Sequence, residues 1–95
     1  MFMEYLRFRV RPEQTEAFLA HNRTWLTELQ KIPGFLAQRT FRHDEETDVW
    51  LVLVEWRDKA AMEGFSDERQ KQLDAVGNQV SALEGADNYV TTSDE

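Results

Sequence analysis

The 95-residue sequence has no cysteine, and that single absence removes disulfides, thiolate nucleophiles and zinc-thiolate sites together. It also has no run approaching the roughly 18 to 20 consecutive apolar residues that a bilayer crossing needs, so no membrane partner is expected. Basic residues are in the minority, 11 against 18 acidic, and the formal charge of −7 repels phosphate backbones and anionic surfaces. Nucleic-acid binding is therefore not expected either. Histidine occurs only at His21 and His43, which fit none of the usual metal-ligand spacings, so no metal site is expected. Asp44, Glu46, Asp48 and Glu55 imitate part of a calcium loop, but Val49 stands where that loop requires glycine. A glycine-rich phosphate cradle and a nucleophile elbow are both missing, which sets aside the common nucleotide cofactors. The opening Met1-Phe2-Met3-Glu4 has no basic-then-apolar signal pattern, and a cytoplasmic location is expected.

What is present is the composition of a folding chain, 41% hydrophobic and 12% aromatic, at a length that supports one domain. From Met3 to Arg11, Leu6, Phe8 and Val10 alternate with Tyr5, Arg7 and Arg9, the period of a strand with one dry face. Pro12 suits a first helical turn, and Phe18, Trp25, Leu29 and Ile32 then keep to one side of a helix that reaches about Lys31. Ile32-Pro33-Gly34 stops it. Phe35 to His43 reads as a second strand, with Phe35, Ala37 and Phe41 on one side and Gln38, Thr40 and Arg42 on the other. Asp44 to Asp48 forms a hairpin loop. Val49 to Trp56 is apolar on both parities and must be covered on both faces. Asp58 caps a short helix through Gly64, and Ser66 caps another that the stripe Leu73, Val76, Val80 and Leu83 extends to about Leu83, where Gly85 ends it. A last short strand falls within Asp87 to Thr92, and residues 93–95 form an acidic tail.

The order β-α-β-β-α-β defines an α+β, ferredoxin-like arrangement with a four-stranded antiparallel sheet. Its helices lie on one face, and strands one and three are central. Either Trp50, Val52, Val54 and Trp56 or Val49, Leu51 and Leu53 then have no cover within the chain. A second copy packed sheet against sheet, a homodimer forming a dimeric α/β barrel, supplies that cover. Arg7 and Arg9, on the same side as Tyr5, are expected to bind an anion between subunits or, more simply, to pair with carboxylates across them.

The strand that ends in tryptophan and runs into an acid-capped helix, Leu53-Val54-Glu55-Trp56-Arg57-Asp58-Lys59-Ala60-Ala61-Met62, follows a Pro33-Gly34-Phe35-Leu36 turn. Together these resemble the antibiotic biosynthesis monooxygenase type of dimeric α/β-barrel domain, over nearly the whole chain from Met3 to Tyr89. The resemblance implies one such domain over residues 1–92. Among its relatives are cofactor-free monooxygenases acting on polycyclic phenols, haem-degrading enzymes, lactone isomerases and members with no known activity. The haem-degrading relatives use an asparagine on the first strand and a later histidine ligand. Here no asparagine lies between Met3 and Arg11 and no histidine follows His43, which argues against haem degradation.

Within the first helix, Asn22 projects near the middle of the stripe of Phe18, Trp25, Leu26 and Leu29, with His21 at its edge. A buried amide without a partner costs about 1 to 3 kcal/mol, so Asn22 is either bonded within the core or lines a cavity. A cofactor-free oxygenase needs a base, a donor to a developing oxyanion and a dry aromatic slot. His21 or His43 is the candidate base, Asn22 the candidate donor, and Trp25, Phe41, His43 and Trp50 the candidate contacts to a small aromatic substrate. Each has a plainer alternative: His43 solvated beside its acidic loop, His21 at a wet helix edge, and Trp50 and Trp56 as core or interface anchors. The competing function is a non-catalytic dimeric domain that binds a hydrophobic ligand or serves an accessory role.

Overall fold

The computed structural model describes residues 1–93. The chain runs β1 (Phe2–Arg9), a 3-10 turn (Pro12–Gln14), α1 (Thr15–Leu29), β2 (Phe35–Arg42), β3 (Val49–Trp56), α2 (Lys59–Glu63), α3 (Asp67–Gly77) and β4 (Ala82–Val90). The four strands form one sheet in the order β2-β3-β1-β4 with every pairing antiparallel, so β1 and β3 are central, as the β-α-β-β-α-β order requires. The Asp94 and Glu95 part of the expected acidic tail lies outside the described residues.

Local chemistry accounts for most boundaries. The missing N–H of Pro12 suits a first turn, and a 3-10 turn over Pro12–Gln14 precedes the α-helix where one continuous helix from Pro12 was expected. Gly34 then takes φ +92°, and its missing side chain matters, because a Cβ there would sit 2.5 Å from Ala61 Cβ. The Gly34 carbonyl also accepts from Arg57 N–H at 2.8 Å, which docks α2 against the turn that ends α1. Asp58 Oδ1 accepts from Ala61 N–H at 2.8 Å and Ser66 Oγ from Arg69 N–H at 3.3 Å, the two N-caps read from the sequence.

The clearest departure is at the C-terminal end. The helix expected to continue to Leu83 stops at Gly77, and β4 begins at Ala82 where helix was expected. Its ladder pairs Ala82 with Arg9 and Val90 with Phe2, and Glu84 bulges out between Phe8 and Arg7. Completing that ladder along all of β1 outweighs a local stripe that is only half real: Leu73 is buried, whereas Val76 and Leu83 are half exposed. Gly85, expected as a helix stop, is a strand residue beside Arg7. Strand β1 likewise stops at Arg9 and β2 at Arg42, slightly short of the expected ends.

The core lies between the helices and one face of the sheet. Phe2 from β1 and Trp50, Val52, Val54 and Trp56 from β3 meet Phe18 and Leu29 of α1, Ala61 of α2, Phe65 from the turn between α2 and α3, and Leu73 of α3. Phe18 sits 5.5 Å from Trp50 and 5.4 Å from Phe8, edge-on or tilted, as aromatic quadrupoles prefer. A register shift after Phe35 turns that ring onto Trp56 at 5.8 Å and leaves Gln38 and Thr40 facing α1, so Phe35 does not share the side of Ala37 and Phe41 as expected. The opposite face carries Tyr5, Leu51, Leu53 and Phe41, and among the described residues no helix covers it. On that face Arg9 binds Asp48 at 2.7 Å and Glu84 at 3.0 Å. Its ion pairs are thus made within the chain, where pairing across subunits was expected.

Candidate functional site

Between α1, α3 and the sheet lies a cavity of about 320 Å³. Its walls are apolar in the main, with Leu6, Phe8, Phe18, Trp25, Val52 and Phe65 among them. Polar groups enter from each side: Glu4 and Gln38 from the sheet, His21 and Asn22 from α1, and Gln70 and Asp74 from α3. A mostly apolar hollow with a few convergent polar groups is the usual form of a small-molecule site.

Asn22 is 9% exposed and resolves the two alternatives for a buried amide by satisfying both. Its Nδ2 donates to Thr40 Oγ1 at 3.3 Å, its backbone carbonyl accepts from Gln38 Nε2 at 2.9 Å, and it borders the cavity. An amide NH₂ carries two hydrogens, and Thr40 engages one of them.

His21 also lines the cavity, but its ring is occupied. Trp25 Nε1 donates to His21 Nε2 at 3.0 Å, a bond that only the neutral imidazole can accept. Burial pushes the His21 pKa below its ordinary value, and this outweighs the opposing pull of the Leu73 backbone and of the Asp74 charge. Gly77 at the end of α3 keeps this arrangement compact, since a Cβ there would lie 3.0 Å from His21 Nε2. Burial raises the Asp74 carboxyl, and the neighbouring His21 partly offsets that rise.

Glu4 is the group the sequence reading passed over. It shares the parity of Phe2, Leu6 and Phe8 and faces the cavity, pairing across the sheet with Val54 and Asn88. Trp56 Nε1 donates to Glu4 Oε1 at 2.9 Å. Burial pushes this carboxyl above its ordinary value, and the Trp56 bond pulls it back only in part. The alternation of β1 carried the signal: an acidic residue two places from Leu6 on the dry parity is an exception that needs a use.

The other expected contacts lie elsewhere. Phe41, His43 and Trp50 border a second depression of about 280 Å³ with Tyr5, Arg7 and Leu51, away from Asn22. His43 Nδ1 accepts the backbone N–H groups of Glu45 and Glu46 at 3.1 and 2.9 Å, which fixes the hairpin loop. The Trp50 ring packs on Phe18, and its indole N–H is buried with no hydrogen-bond partner among the described residues. Of the six candidate residues, only His21, Asn22 and Trp25 are brought together in the helix–sheet cavity.

The fold is thus a ferredoxin-like α+β domain with a hollow between its helices and one sheet face. The family model for antibiotic biosynthesis monooxygenases matches residues 1–72, and the chain belongs to that family. In fold it is similar to SnoaB, a cofactor-independent oxygenase from Streptomyces nogalater, at 15% identity and a TM-score of 0.81 over 97% of this chain and 93% of that one. A conserved protein from Methanosarcina mazei superposes with a TM-score of 0.77 at 16% identity, covering 93% and 89% of the two chains. At such identities the likeness establishes the shared fold. No curated protein matches the chain by sequence. Among the described residues no helix is long and apolar enough to cross a membrane.

Proposed function

We propose that the chain is a monooxygenase working without metal or flavin on a phenolic or quinol ring bound in the helix–sheet cavity, and that it does so as a homodimer. The observation that carries the reading is the cavity of about 320 Å³ beside the buried Asn22 amide. Had the core around Asn22 been filled, a purely structural amide would be the better account.

The chemistry asks little of the protein because the ring supplies the electrons. A phenol with a free para C–H reacts with O₂ to give a quinone and water. The ring loses its O–H and C–H hydrogens, one oxygen atom becomes the new carbonyl, and the other leaves as water with both hydrogens. The protein has to hold the ring, remove water and stabilise the negative charge that forms on the ring oxygen. Phe18, Trp25 and Phe65 supply the slot, and the second Asn22 Nδ2 hydrogen supplies a donor. The dimer reading rests on the uncovered sheet face, where Phe41 and Tyr89 are 47% and 51% exposed beside Leu51 and Leu53.

Oxygen uptake with a panel of naphthols and quinols tests the activity. Asn22→Ala is expected to lower the rate about 10²-fold, the usual effect of removing one donor to an oxyanion. Uptake by the parent that Asn22→Ala leaves unchanged contradicts the role of Asn22. No uptake by the parent favours a domain that binds such a ligand without transforming it.

A further inference from the structure

We infer that Glu4 is the ligand-facing carboxylate of the helix–sheet cavity, accepting a hydrogen bond from the hydroxyl of a neutral ring and turning away rings that carry a fixed negative charge. The inference rests on the reading of that cavity as the substrate site and narrows the class of ring it takes.

Three observations lead to it. Glu4 stands on the dry parity of β1, between Phe2 and Leu6, where a hydrophobic residue would fill the core. Trp56 Nε1 reaches one of its oxygens at 2.9 Å, and an ionised carboxylate has accepting capacity on both. Among the described residues no lysine or arginine lines the cavity, whereas two carboxyl groups do, Glu4 from β1 and Asp74 from α3. The titratable group that faces them from α1 is His21, whose Nε2 is taken by Trp25 and which is held neutral. The sheet neighbours of Glu4, Val54 and Asn88, carry no charge.

A site with this balance treats two rings of equal size differently. A hydroxyl on a neutral ring can donate to Glu4, and proton transfer along that bond produces the electron-rich phenolate that the oxygenase reading requires. A ring carboxylate or sulfonate brings a second negative charge into a hollow with no cation to meet it, where low polarity strengthens the repulsion. His21 is not needed as the proton acceptor.

Quenching of indole fluorescence by 2-naphthol and by 2-naphthoate tests the inference on the full chain. At about pH 7 the first is neutral and the second ionised, and the parent is expected to bind naphthoate at least about tenfold more weakly. Glu4→Gln keeps an acceptor for Trp56 and removes the charge, and the naphthol-to-naphthoate ratio is expected to fall at least about threefold. Equal binding of the two ligands by the parent, quenching by neither, or a ratio that Glu4→Gln leaves unchanged overturns the inference. If that variant fails to fold by circular dichroism, the parent's ratio decides alone. The expected ratios without any oxygen uptake would sink the oxygenase reading and leave the role of Glu4 standing.

Discussion

Replacing Trp25 with phenylalanine isolates the indole N–H that keeps His21 neutral. The aromatic contact of residue 25 with Phe65, at 5.5 Å, can be kept by the smaller ring, while the 3.0 Å bond to His21 Nε2 is lost. That bond exists only with the neutral imidazole, so its loss favours protonation. A neutral hydrogen bond contributes about 0.5 to 1.5 kcal/mol, and one pKa unit corresponds to about 1.4 kcal/mol, so His21 should titrate roughly 0.4 to 1.1 units higher in the variant. Imidazole ¹H–¹⁵N correlation spectra across a pH series read this directly. Stability supplies a second readout. In the parent, burial sets the folded-state His21 below its ordinary 6.5, so the unfolded chain gains its proton first as pH falls. Stability is therefore lost as pH drops through about 6.5 towards the folded-state value, and Trp25→Phe should narrow that window. A His21 titration that stays put or moves downward refutes the reasoning.

Two other outcomes follow from the same structure. Burial raises the folded-state Glu4 carboxyl, so its contribution to stability is complete below the ordinary 4.5 and is lost as pH rises through the folded value. The melting temperature of Glu4→Gln should accordingly gain on the parent between pH 4 and pH 8, and a gain in the opposite direction contradicts the burial of a charge there. Leu53→Asp places a carboxylate on the uncovered sheet face, opposite Tyr5 and Arg39 in the strand register. Sedimentation at micromolar concentration should show a dimer for the parent and a monomer for the variant, and a monomeric parent removes the dimer from the account.

The sheet and its order were legible because period and punctuation agreed. The Val49–Trp56 run, the Asp58 and Ser66 caps and the Pro33-Gly34 stop are local signals, and each appears where it was read. The C-terminal third was harder. Leu73, Val76, Val80 and Leu83 have helical spacing, yet the hydrogen bonds that place Leu83 in a strand come from β1, more than seventy residues away. No local pattern reports a ladder of that range. The candidate site was half visible. Asn22 was found because a polar residue interrupts an apolar helix face, and His21 and Trp25 follow from it by helical geometry. Phe41 was grouped with it as an aromatic contact and His43 as a candidate base, and the pleat of β2 sends Phe41 to the other side of the sheet. Glu4 stayed hidden because the dry face of strand one was read from Leu6, Phe8 and Val10, and the acidic residue two places before Leu6 on the same parity was not followed to its partner Trp56.

The central claim is that the hollow beside Asn22 and Glu4 is where a ring is oxygenated. Incubation of the purified protein under ¹⁸O₂ with 1,5-dihydroxynaphthalene, which keeps a C–H para to each hydroxyl, followed by mass spectrometry of the quinone, tests it most directly. One heavy oxygen atom is expected in the product, with the amount of labelled product about 10²-fold lower when Asn22 is replaced by alanine. A product labelled only from water, or formed equally by the variant, contradicts it.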